Sequence, residues 1–214
     1  MQSYFADREE AGVALAAAVV KLRLVDPVVL ALPRGGVPVA AKVAQALHAP
    51  LDLLLVRKIG APFNPELAVA AVVDAAADDL VVDEALMESL GMTLADVQES
   101  AREQRAEIAR RRSLYLRGRP RVSLAGRSVV VVDDGIATGT TVRAALKGLR
   151  GCGAKALVLA VPVAPPDTVR RLRDDVDHLV CLSQPVGFYA VGAHYRDFHQ
   201  VPDEEVIALL DAAA

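Results

Sequence analysis

Tryptophan is absent from the 214-residue chain, and aromatic residues make up only 4% of it. A core must therefore be built from Ala, Val and Leu, which dominate a hydrophobic fraction of 53%. An excess of basic charge is also missing: the net charge is -3. That balance disfavours nucleic acid as a partner, since such surfaces are usually basic. Two cysteines, Cys152 and Cys181, lack a CxxC spacing and read as small buried hydrophobes in a reducing, cytoplasmic setting. The four histidines, His48, His178, His194 and His199, show no metal-ligand spacing. No apolar run reaches about 18 residues, so no membrane span is expected. The N-terminus has no basic start. It reads as a helix capped at Asp7 with Glu10 three residues on, not as a signal peptide. Internal repeats and low-complexity linkers are also lacking.

What is present is the grammar of a parallel sheet. Apolar runs at Val28–Leu32, Leu51–Val56, Ser128–Val132 and Ala156–Val161 show no polar alternation, as expected of strands covered on both faces. A fifth strand is expected near His178–Leu182. Helical patterns at Val37–Leu47, Thr140–Leu149 and Pro166–Val176 alternate with the strands. The expected architecture is α/β: a parallel-sheet core with helices on both faces. The core occupies about 26–60 and 126–183. An insertion occupies about 61–125 and a small C-terminal hood about 184–202. Within the insertion, Glu66–Glu84 suggests a hairpin or short strand pair, and a long helix starts at Thr93 with Asp96 completing a capping box. Its arginines, between Arg102 and Arg121, have Glu99, Glu103 and Glu107 as expected partners on a solvated face. Asp203–Leu210 closes the chain as a helix.

The most informative stretch is VVVVDDGIATGTT, from Val129 to Thr141. Asp133 and Asp134 stand at the carboxyl end of an apolar strand, where open parallel sheets bind ligands. The loop that follows enters a helix, so its free N–H groups and the hydroxyls of Thr138, Thr140 and Thr141 form a cradle for an anion. Two carboxylates would repel a phosphate, so they are expected to face hydroxyls or a divalent metal. A sugar phosphate meets both requirements. A Walker loop is ruled out by the lack of lysine, and the dinucleotide fingerprint is also absent. The plain alternative is an acidic strand end followed by a helix cap.

The stretch resembles the ribose-phosphate motif of the type I phosphoribosyltransferases, which use 5-phosphoribosyl 1-pyrophosphate (PRPP) and Mg²⁺. The resemblance implies that Asp133 and Asp134 hold the ribose hydroxyls, act in catalysis and approach the metal. It also implies that Gly135, Ala137, Thr138, Gly139, Thr140 and Thr141 wrap the 5′-phosphate. VVLALPRGGVPVA resembles the family's pyrophosphate loop, with Arg34 as a bidentate donor and Gly35 and Gly36 admitting close backbone approach. Arg57 and Lys58, read as the end of the next core strand, match basic catalytic residues that balance pyrophosphate charge. FYAVGAHYRDF resembles the hood of purine-type members, so Tyr189 and Val191, with Phe188 near and Ile136 beneath, would flank the base. Asp197 is a further candidate for Mg²⁺ or the base.

By this resemblance the chain is a cytoplasmic, homodimeric enzyme that transfers the phosphoribosyl group to a nitrogenous base and releases pyrophosphate. A PRPP-binding regulator without chemistry is the alternative, and a hydrolase built on the paired aspartates is a distant third. Two departures stand out. Ala137 occupies a position that is aspartate in enzymes for 6-oxopurines, which argues against hypoxanthine or guanine. The family's mobile catalytic loop has no recognisable signature between Lys58 and Arg127, although the breaker-rich Asn64–Glu66 is a place for it.

Overall fold

A computed structural model describes residues 5–75 and 79–213, with only the backbone of Pro65 and Glu66. Five strands, β1 (Pro27–Ala31), β2 (Leu51–Leu53), β6 (Ser128–Val132), β7 (Ala156–Val163) and β8 (His178–Ser183), form a parallel sheet ordered β2-β1-β6-β7-β8. Side chains alternate across it. Val28, Leu30, Val129 and Val131 enter one apolar cluster, and Val29, Ala31, Val130 and Val132 enter the other. Both faces are dry, which explains why these strands carry no polar residue at every second position. Each buried Val or Leu contributes roughly 1.5–3 kcal/mol relative to exposure.

Helices α1 (Arg8–Val19), α2 (Gly36–Leu47), α4 (Leu94–Leu116) and α7 (Asp203–Ala212) supply one apolar cluster; α5 (Thr140–Leu149) and α6 (Pro166–Arg173) supply the other. The expected caps form. The Asp7 carboxylate accepts from Glu10 N at 2.8 Å, and the Thr93–Asp96 capping box is complete.

The sequence reading of one strand over Leu51–Val56 needs correction. The core strand ends at Leu53 after Leu54 N reaches Ala31 O at 2.9 Å. Leu55 O then accepts from Asp74 N, and the chain continues as β3 (Val56–Ala61) in a separate antiparallel sheet with β4 (Asn64–Val73) and β5 (Leu80–Val82). The apolar run is continuous because Leu54 and Leu55 are buried between the two sheets. The expected strand pair over Glu66–Glu84 is therefore part of a three-stranded unit, followed by the short helix α3 (Glu84–Ser89). Residues 76–78 of that pair lie outside the described residues. Asn64–Glu66, expected as a loop, begins β4, and the turn sits at Pro62 and Phe63.

The arginine-dense helix also differs from expectation. Of its expected glutamate partners, Glu107 binds Arg110 and Arg111. Two other arginines reach beyond the helix: Arg105 to Asp79, and Arg112 to both Asp52 and Asp74. Arg119, just past its end, pairs with Asp211. The segment ties the small sheet and α7 to the core.

Candidate functional site

At the carboxyl end of β6 two loops meet. Leu32 N donates to Val132 O at 2.9 Å, which carries the 32–36 turn over Asp133 and Asp134. A Cβ on Gly35 would lie 2.0 Å from Asp134 Oδ2, and one on Gly36 would lie 3.1 Å from Asp133 Oδ1. Only glycine permits this approach, so the two sequence motifs form one site.

Asp134 has a partner that the sequence reading missed. Arg8, at the start of α1, donates from Nε to Asp134 Oδ2 at 2.8 Å and from its terminal nitrogen to His199 O at 2.8 Å. Its guanidinium carbon lies 3.9 Å from the centre of the Phe198 ring. Asp134 thus faces a guanidinium, not only hydroxyls or a metal as expected. The one hint in the sequence is a cation at a helix N-terminus, where the dipole disfavours it unless something else holds it.

Asp133 Oδ1 accepts from Asp134 N at 2.9 Å. Burial first, and then the Asp134 charge, push the Asp133 carboxyl well above the usual carboxylate range. Burial raises Asp134 as well, while Arg8 pulls it back.

Beyond the acids, Gly135 and Ile136 turn back onto the sheet, with Ile136 N donating to Val163 O at 2.9 Å. The Ile136 side chain enters the core, so its expected place beneath a base is corrected: it supports the loop from below. Thr168 Oγ1 donates to Ala137 O at 2.7 Å and Arg171 donates to Thr138 O at 3.3 Å. Gly139 has φ of 79° and caps α5, a conformation that disfavours any residue with a Cβ. Thr138, Thr140 and Thr141 stand at the helix N-terminus, with the first two hydroxyls 3.4 Å apart.

The cations diverge. Arg34 lies in the glycine turn, beside a cleft of about 370 Å³ that Arg8, Gly35 and Asp134 also line. A terminal nitrogen of Arg34 donates to Asp203 Oδ1 of α7 at 3.4 Å. Arg57 and Lys58 belong to β3 rather than to a core strand end, and adjacent strand residues face opposite sides. Arg57 Nε donates to Gln104 Oε1 of α4 at 3.0 Å, whereas Lys58 lines a different cavity with Thr138, Gly139 and Thr140. The expectation that both enter one crevice is corrected accordingly.

The hood docks onto the same loop. Val191 Cγ1 would lie 2.5 Å from a Cβ on Gly135, and the Tyr195 hydroxyl donates to Asp134 O. The Phe188 ring stacks on His194 at 5.3 Å. Tyr189 is 93% exposed, away from the packed part of the hood. Asp197 is exposed and accepts from His199 N at 3.1 Å, and it does not line the Arg8–Asp134 cleft. Among the described residues, no cluster of three or more His, Cys, Asp or Glu could hold a metal.

Residues 8–195 match the family model "Phosphoribosyl transferase domain". Two Mycobacterium tuberculosis relatives, MT0597 and Rv0571c, are named only provisionally as phosphoribosyl transferases. Each is 46% identical over 209 residues, or 98% of this chain. The chain spans about half the length of these relatives, 47% of each. The crystal structure of TT1426 from Thermus thermophilus is 44% identical and superposes with a TM-score of 0.88 over 99% of both chains. With residues 32–36 and 133–141 both inside the matched region, the chain belongs to the phosphoribosyl transferase domain family.

Proposed function

We propose that this chain transfers the 5-phosphoribosyl group of PRPP to a nitrogenous base or related nucleophile and releases pyrophosphate. The observation that carries the proposal is the contact of Gly35 and Gly36 with Asp134 and Asp133, which joins an anion loop to a carboxylate pair.

The 5′-phosphate sits on the N–H groups and hydroxyls at the start of α5, where the helix dipole favours negative charge. Asp133 and Asp134 accept from the ribose hydroxyls. They also offset the positive charge that builds on the ring as the anomeric C–O bond breaks. The bond to Arg8 keeps Asp134 in one orientation. Arg34 moves from Asp203 to the departing pyrophosphate, and the backbone of the glycine turn supplies further donors. Held at both ends, the ring presents one face to the incoming nitrogen. Val191 supplies an apolar wall beside Gly135, and Ala137 offers the acceptor no carboxylate.

The residues fit Mg²⁺ in the way that suits this ion, with one or two carboxylates and the remaining positions filled by substrate oxygens and water. Asp133, not engaged by the Arg8 guanidinium that holds Asp134, is the better donor. When bound, the ion neutralises charge on the leaving pyrophosphate.

The test is thermal unfolding with PRPP, with and without Mg²⁺, against ribose 5-phosphate. At about 100 times the dissociation constant, PRPP should add roughly 2.7 kcal/mol of apparent stability. No shift at millimolar PRPP would remove the reading. A base screen for pyrophosphate release then separates the transferase from a PRPP-binding regulator. The orientation of Arg57 toward Gln104, away from the cleft, favours that second reading.

A further inference from the structure

A cavity of about 440 Å³ lies outside the Arg8–Asp134 cleft, between α5, α6 and the small sheet. Three sides have different chemistry. Thr138, Gly139 and Thr140 form one end. Arg143 and Lys147 of α5 and Arg171 of α6 form a cationic wall, with Lys58 of β3 across from it. The floor is apolar, made by Ala68 and Ala71 of β4 and Val81 of β5, which share the face of Lys58, together with Leu172. Among the described residues, Asp83 is the only carboxylate lining it.

The spacing along α5 matters. Thr140, Arg143 and Lys147 are three and four residues apart, so they lie on one helix face and span about 10 Å. That face adjoins the buried face formed by Val142, Ala145, Leu146 and Leu149. Arg143 is held by Asp175 at 3.3 Å and Arg171 by Thr168 Oγ1 at 3.1 Å, so both guanidiniums are fixed at the rim. Such a volume suits a small organic ligand. Cations in a row above an apolar floor suit one that carries several phosphates and a flat apolar group.

We propose that this cavity binds a nucleoside polyphosphate, distinct from the phosphoribosyl donor. Its phosphates would lie along Arg143, Lys147 and Arg171, and its base on the floor of Ala68, Ala71 and Val81. Thr138, Gly139 and Thr140 border both sites, so occupancy here opposes donor binding. That competition rests on the function proposed above, but the binding itself does not.

ATP serves as the probe in titration calorimetry without Mg²⁺, with inorganic tripolyphosphate and adenosine as charge-only and apolar-only controls. ATP should bind at least tenfold more tightly than either control. Lys147→Glu, at an exposed position, should weaken ATP at least tenfold, whereas Lys155→Glu, outside the cavity, should leave it unchanged. Asp133→Asn should retain ATP binding while losing PRPP. Equal ATP affinity in wild type and Lys147→Glu would overturn the site. So would loss of ATP binding in Asp133→Asn, because ATP would then be occupying the donor cleft. Tripolyphosphate binding as tightly as ATP would overturn the ligand class. If ATP binds through Lys147 while PRPP does not bind at all, the cavity stands and the transferase reading falls.

Discussion

Arg8 Nε and Asp134 Oδ2 lie 2.8 Å apart, joining positions 126 residues apart in the chain. Both side chains are almost wholly buried, at 8% and 12% exposure. Removing one member of a buried ion pair leaves the other uncompensated, which costs more than the pair itself contributes. Arg8→Met should therefore destabilise the fold by about 3 kcal/mol. Asp134→Asn in the same chain should recover part of that loss. Urea denaturation of the four variants of this cycle measures it, and a coupling near zero would show that the two groups act independently.

Asp133 predicts the opposite sign. Its folded-state pKa is raised, so the folded chain holds a proton that the unfolded chain releases more readily. The carboxyl therefore detracts from stability once pH rises above the ordinary carboxylate value, and this penalty is absent at lower pH. Asp133→Asn should be more stable than wild type at pH 7, by about 0.5–2 kcal/mol, and lose PRPP binding. The stability gap should narrow as pH falls toward 4. A variant that is less stable at neutral pH would contradict this account.

Gly35→Ala would place a methyl group 2.0 Å from Asp134 Oδ2, an atom held in place by Arg8 Nε. An overpacked contact of this kind costs about 1–3 kcal/mol. The expected outcome is a lower melting temperature together with loss of PRPP binding. Gly151→Ala, with open space around its Cβ, is the control that should leave PRPP binding intact.

Burial pushes the Cys181 thiol up to about 11. At pH 8 roughly one molecule in a thousand carries the thiolate there. Iodoacetamide followed by mass spectrometry should find Cys181 unmodified in the native protein and modified after unfolding. Rapid native labelling at pH 8 would rule out this environment.

The parts of the fold that were legible in the sequence are those with local causes. Runs such as Val129–Val132 announce strands buried on both faces, and the capping signals at Asp7 and Thr93 mark where helices begin. The parts that were missed depend on partners distant in the chain. Leu51–Val56 reads as one strand because buried residues on either side of a sheet switch look alike. The partners of Arg105 and Arg112 are Asp52 of core strand β2 and Asp74 and Asp79 at the borders of the small sheet, invisible to helical spacing. In the candidate site, the meeting of the two glycine loops follows from adjacent parallel strands. The Arg8–Asp134 pair follows from the docking of α1, which no local pattern encodes.

The Phe5–Tyr195 bridge has a consequence for how ligands come and go. Phe5 N donates to His194 O and Arg196 N donates to Phe5 O, each at 2.9 Å, so the hood is stitched to the segment that leads into Arg8. Tyr195 in turn reaches the backbone of Asp134. A wall fastened at both edges cannot swing like a door without unravelling the start of the chain. The β3–β4 turn, by contrast, projects a wholly exposed Phe63 into solvent. On the function proposed above, a wall held in this way would select an acceptor by shape rather than by opening.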